Sequence, residues 1–249
     1  MLIDDFNLPG ERVTQSKYYG LDSPNALKAR ARKLTKTKFR ISEKWFKEYP
    51  VQDFDYQFNS WGFRGPEYDR LVGTPVNICI GDSFTVNLGG PIEHSWPSQL
   101  QEYFNVPTIN LGMDGAGNDA IRIVHDRAIE LFDVQHSFVM YSYFHRRLVD
   151  NEFTHYSGQN KTQFKSAPLH TDKENFEYFE DQYIDTVYGA FLPKWCYTDT
   201  ELQYIQFYQN FNYPAGGRSE WSNRDYHHMN QDLNKQIAEY FHELSRTNP

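Results

Sequence analysis

Three residue types in this chain stand where they could carry out nucleophilic chemistry. Ser83 lies two residues beyond Gly81, at the end of the apolar run VNICI (76–80). A serine leaving a strand on a tight turn is exposed to substrate and close to backbone amides that can receive developing negative charge. Far downstream, Asp225 and His228 stand three residues apart in DYHH (225–228), just before a helical pattern. One local turn can hold that carboxylate against an imidazole nitrogen, leaving the other nitrogen to take a proton from a serine hydroxyl. Each signal has a plain competitor. Gly, Asp and Ser are common turn residues, His228 is one of nine histidines and could be a surface or capping residue, and His227 beside it competes for the same role.

The elements that must position these residues alternate. After VNICI comes 94–104 (HSWPSQLQEYF), with Trp96, Leu100 and Tyr103 or Phe104 at helical spacing and Ser95 or Ser98 as cap. VPTINL (106–111) reads as a second strand, GMDGAGND (112–119) as a Gly-rich turn, and AIRIVHDRAIELF (120–132) as a helix with Ile121, Val124, Ala128 and Leu131 on one face. HSFVMYSYF (136–144) reads as a third strand. Strands alternating with amphipathic helices over short loops predict an α/β fold, a mostly parallel sheet with helices on both faces and ligands at the carboxyl ends of the strands. GDSFT and GMDGAGND fall at two such ends.

Residues 151–224 give no clean fourth or fifth strand; their aromatic-rich stretches predict a partly helical insertion near the site. Phe176, Tyr178, Phe179, Tyr183 and Tyr188 suit a helix core better than a platform for stacking on sugar rings. At 229–244, Leu233, Ile237, Tyr240, Phe241 and Leu244 mark an amphipathic helix packed on the core. Residues 1–70 read as a polar, partly basic extension, and 71–249 as the main domain. The run KARARKLTKTKFR at 28–40 has seven Lys or Arg and no acid; such blocks are more often solvated arms than polyanion sites.

Composition narrows the possibilities. At 249 residues the chain can bury a sizeable core, and with 39% hydrophobic and 17% aromatic residues it favours packed structure over disorder. A formal charge of -8 repels phosphate backbones and anionic lipid headgroups, so neither nucleic acid nor a membrane is expected as the main partner. Cys79 and Cys196 have no CxxC or Cys/His spacing, so no disulfide framework and no metal site is expected. There is no Gly-rich phosphate loop with a following Lys, and no cofactor is expected. The first residues lack a basic and then apolar leader, and no apolar run is long enough to span a bilayer, so a cytoplasmic location is expected.

The ordered motifs resemble the SGNH/GDSL hydrolase family. Its first block, GDS followed by a hydrophobic residue, matches Gly81-Asp82-Ser83-Phe84, and its last, Asp-x-x-His, matches Asp225-Tyr226-His227-His228. TINLGMDGAGN offers Asn110 and Gly115 for the second block, whose glycine N–H serves the oxyanion hole in that family. NSWGFRGPEYD (59–69) resembles a lead-in segment of some members and implies fold support rather than catalysis. The match covers roughly 74–244.

The third block departs from the family. There the strand ends on Asn-Asp, and the Asn supplies an oxyanion donor; here it runs FVMYSYFHRRLVDN. Aligning VDN (149–151) puts Arg146 at the Asn position, while counting from the strand start favours His145. Asn118, in the earlier GND triplet, reads as a helix N-terminal residue and a spare donor.

The resemblance implies a three-layer α/β/α sandwich of flavodoxin-like type. It implies Ser83, Asp225 and His228 as a triad, with Ser83, Gly115 and Arg146 or His145 forming the oxyanion hole. The implied reaction is hydrolysis of short-chain or carbohydrate O-acyl esters through an acyl-enzyme, with a small-molecule or glycan ester as the partner. An O-acyltransferase acting on a glycan, or a non-catalytic carbohydrate-binding relative, are the alternatives.

Overall fold

A computed structural model describes residues 15–16, 25, 54–150, 152–156, 170–206, 208, 214, 221–222 and 227–247. The basic run 28–40 and Asp225 lie outside the described residues.

A pair of two-residue strands, β1 (Gln15–Ser16) and β2 (Tyr56–Gln57), runs antiparallel. The main sheet is built from β3 (Pro75–Gly81), β4 (Thr108–Gly112), β5 (Asp133–Tyr141) and the short β8 (Tyr188–Phe191). Its order is β4-β3-β5-β8, and every pairing is parallel. Gly81 pairs with Gly112 on one side and Met140 on the other, so three strands end at one level beside Ser83. Between β5 and β8 lies an antiparallel hairpin of β6 (Arg146–Val149) and β7 (Glu152–His155).

Central parallel strands are covered on both faces and so read as continuous apolar runs. Along β3, Val76, Ile78 and Ile80 face one core and Cys79 the other. The first core is closed by Ala120, Ile121, Val124 and Ala128 of α3 (Asn118–Leu131). The second is closed by Trp96 and Leu100 of α2 (Trp96–Leu100) and by Leu233, Ile237 and Phe241 of α6 (Gln231–Thr247). The result is the three-layer α/β/α sandwich expected from the sequence.

Four local expectations shift. The third strand spans 133–141, not 136–144. The helix expected over 94–104 is a five-residue α2 followed by a 3-10 turn at Gln101–Tyr103. The last helix begins at Gln231, after an Asn230 whose side-chain oxygen accepts from Leu233 N–H at 3.0 Å. Most consequentially, the stretch 151–224 supplies the fourth sheet strand, β8, besides the helices α4 (Asp172–Glu180) and α5 (Asp199–Ile205). Tyr188 is therefore a strand residue. A Cβ on Gly189 would come 3.0 Å from the Tyr141 ring, so this strand depends on the absence of a side chain there, which hides it from a pattern based on β-branched residues.

The lead-in segment is built into the core. Tyr56, Trp61, Phe63 and Tyr68 are buried. Asn59 Oδ1 accepts from the N–H groups of Trp61 (3.1 Å) and Phe63 (3.0 Å), and its Nδ2 donates to Pro66 C=O (2.9 Å), making a self-contained turn. That turn aims the fully buried Arg64 at the loop that follows Ser83.

Candidate active site

Ser83 opens α1 (Ser83–Val86), a single turn of helix set on the carboxyl end of β3. Asp82 is its N-cap, and Asp82 Oδ1 accepts from Phe84 N–H at 3.0 Å. A short polar side chain at this position satisfies one of the unpaired N–H groups of a helix start. The turn can lie this close to the sheet because Gly112 has no side chain: a Cβ there would come 2.7 Å from Val86 N.

The far end of the turn is held by Arg64. Its Nη1 donates to the carbonyls of Val86 (3.0 Å) and Asn87 (2.7 Å), and its Nη2 to Gly90 C=O (2.9 Å). Its guanidinium also stacks on Tyr56 at 4.3 Å. The lead-in segment thus fixes the loop following the serine, a job its sequence pattern announces only as fold support.

His228 Nε2 lies 2.8 Å from Ser83 Oγ, with both residues buried. The His228 ring packs on Phe84 at 4.6 Å. The residues just after it are held by an isolated bridge between Met229 and Ser222 and by Asn230 N–H to Trp221 C=O at 2.7 Å. His227 goes elsewhere: its Nε2 sits 3.4 Å from the Tyr143 hydroxyl. Of the two histidines, His228 is the one brought to the serine.

The turn carrying Gly115 follows β4 and is drawn alongside by Met113 N–H to Gly81 C=O at 3.0 Å. Gly115 adopts φ +80, a left-handed conformation that L side chains disfavour. The Phe153 ring of the β6–β7 hairpin closes over it, 3.4 Å from where a Cβ would stand. Asn118, read as a spare donor, is committed. Its Nδ2 donates to the carbonyls of Ser142 (3.2 Å) and Tyr143 (3.5 Å), and its Oδ1 accepts from Ser142 N–H (2.8 Å).

Arg146 reaches the nucleophile's neighbour. Its Nη1 donates to Asp82 Oδ2 at 2.9 Å and to Ser142 Oγ at 3.3 Å, and its guanidinium lies 4.3 Å from the Tyr143 ring centroid. Ser142 Oγ also donates to Asp82 Oδ2, at 2.7 Å. His145 is half-buried, its ring 5.2 Å from that of Tyr143. Burial pushes the Tyr143 hydroxyl well above the ordinary tyrosine range, so it stays protonated near neutrality. Asp82, Ser142 and Arg64 were not singled out as site residues from sequence. Asp82 had a readable signal as an N-cap type at a strand-to-helix turn, and Arg64 lay in the lead-in pattern, whereas Ser142 had none.

The aromatic stretch is core. Phe179 is fully buried and packs against Tyr141, Phe144 and Phe191, while Phe176 stacks on Tyr204 at 4.3 Å. Tyr178 lies against Arg147, 3.4 Å from the guanidinium, and donates to Asp119 Oδ2 at 3.0 Å. A cavity of about 460 Å³ lined in part by His125, His136 and Tyr188 opens at the amino end of β5, opposite to Ser83. Cys79 and Cys196 are both free thiols. Among the described residues no helix is long and apolar enough to cross a membrane.

No family model matches the chain, and no curated protein matches it. A solved structure described as "a putative lipolytic protein of G-D-S-L family", from Desulfitobacterium hafniense DCB-2, is similar to it. The two align with 17% identity and a TM-score of 0.37, over 69% of this chain and 99% of that one. At that distance the function has to be argued from the site itself.

Proposed function

We propose that the chain is a serine-dependent hydrolase of carboxylic esters. The observation that carries the reading is the 2.8 Å approach of His228 Nε2 to Ser83 Oγ, on a strand-to-helix turn at the carboxyl edge of the sheet. In this mechanism Ser83 Oγ attacks the ester carbonyl while His228 Nε2 takes its proton. The alcohol leaves with that proton, and an acyl-serine remains. Water then attacks the acyl-serine, giving its proton to His228, and the carboxylic acid departs as Ser83 recovers its hydrogen. Asp225 is assigned the orienting role on the other imidazole nitrogen, by its place three residues before His228. The amide N–H groups of Ser83 and Gly115 are assigned to the oxyanion, where one such donor is worth about 10²–10³ in rate. His145 or Arg146 is assigned the third donor; of the Arg146 nitrogens, Nη1 is engaged by Asp82. Short-chain or carbohydrate O-acyl esters are the proposed substrates.

The test is hydrolysis of p-nitrophenyl acetate and butyrate by wild type and Ser83→Ala side by side, with fluorophosphonate labelling of the protein. Ser83-dependent turnover and a label on Ser83 are the expected result. Full activity in Ser83→Ala would move the nucleophile elsewhere, and neither turnover nor labelling in the wild type would sink the hydrolase reading.

A further inference from the structure

We propose that Arg146 is a positioning residue for the nucleophile, acting through Asp82, rather than a donor to the oxyanion. The inference rests on the reading of Ser83 as nucleophile.

Asp82 has no exposed surface, and its two oxygens face different elements. Oδ1 caps α1 through Phe84 N–H, one residue past Ser83. Oδ2 receives the Ser142 hydroxyl from the loop that leaves β5 and Arg146 Nη1 from the start of β6. The carboxylate is thus a clamp between the turn that aims Ser83 and the end of the neighbouring strand. A buried charge is tolerable only when paired and hydrogen-bonded, and Arg146 is the cation that pairs it. The loop leading to Arg146 is itself fixed, because both ends of the Asn118 amide bond the backbone at Ser142 and Tyr143.

The same pairing argues against a direct role at the oxyanion. The Arg146 charge is neutralised at 2.9 Å by Asp82, which weakens any field it could put on a second anion. The guanidinium is also held over Tyr143. Removing it leaves a buried carboxylate whose cation is gone. That carboxylate turns toward another donor, which releases the Phe84 N–H and lets Ser83 drift from His228. Displacement of a reacting group by an ångström costs about 10²-fold in rate.

The test is a double-mutant cycle with Arg146→Gln, Asp82→Asn and the pair together, plus Arg146→Lys, each measured for kcat and KM on p-nitrophenyl acetate. Arg146→Gln is expected to lower kcat by about 10²-fold with KM within about three-fold. Arg146→Lys should recover most of that loss. Adding Asp82→Asn to Arg146→Gln should cost little more, because both changes break one linkage. Losses that multiply would place Arg146 on the substrate or oxyanion independently of Asp82, and a change confined to KM would make it a substrate contact; either overturns the proposal. A second readout does not depend on turnover: crystal structures of Arg146→Gln and Arg146→Lys. The Ser83 Oγ to His228 Nε2 separation should open beyond hydrogen-bond length in the glutamine variant and stay closed in the lysine variant. A wild type without esterase activity would refute the hydrolase reading, and this distance would still decide the positioning role. An unchanged separation in Arg146→Gln would reject it.

Discussion

A 2.8 Å contact between a serine hydroxyl and an imidazole is useful only if neither partner can wander, and most of the polar burial around Ser83 serves that end. Arg64 is the plainest case. Three backbone carbonyls behind the serine turn share its guanidinium, and they would be left without a charged donor in Arg64→Met. A hydrogen bond to a charged group is worth about 1.5–3 kcal/mol. The variant should therefore lose at least about 3 kcal/mol in chemical denaturation, with turnover falling further than the fraction unfolded explains. Stability within about 0.5 kcal/mol of wild type would mean that the loop holds itself. The pattern Asn-Ser-x-Gly-Phe-Arg-Gly made this segment visible in the sequence, as did the short blocks around Ser83 and His228. The pairing of Arg146 with Asp82 was invisible, because it joins residues 64 positions apart across two strands, and no local pattern encodes that.

Among the elements, the β8–α4 region shows why composition alone misleads. Its rings form one layer: Phe179 at the centre, with Tyr141 from the end of β5, Phe144 three residues beyond it, Phe191 from β8 and Tyr208 after α5. Truncating a fully buried phenylalanine costs about 3–5 kcal/mol, so Phe179→Ala should lower the denaturation midpoint accordingly. It should also loosen the loop from Ser142 to Arg146, which emerges from that layer, and lower kcat with it. Retained stability would show that the layer packs on β5 without helping to hold it. The two long amphipathic helices were legible from a regular helical periodicity, and three of the sheet strands from short, continuous apolar runs. β8 was not, being four residues long with a glycine that must stay bare beneath Tyr141. The capped starts of α4 and α5 had a readable signal in their boxes, Thr171 with Glu174 and Thr198 with Glu201, which the reading of that stretch as an insertion passed over.

At the scale of the whole molecule, the proposed base and nucleophile are 145 positions apart in the chain and belong to different layers. Ser83 stands on the sheet. His228 leads into α6, whose Asn234 joins the two by accepting from Trp96 N–H at 3.0 Å and donating to Asn87 Oδ1 at 3.2 Å. Proteins open in cooperative pieces with free energies below that of global unfolding, and a helix seated on one face of a sheet can open as such a piece. If α6 lifts while β4-β3-β5-β8 and α3 stay paired, the chemistry is disconnected with the scaffold nearly whole. In a urea titration, fluorophosphonate labelling should then fade at lower concentration than far-UV ellipticity, and α6 amides should exchange with solvent before those of β3. Coincident curves would mean that helix and sheet open as one unit. If labelling fades first, catalytic competence in this chain reports the docking of the seventeen-residue α6 rather than the integrity of the fold.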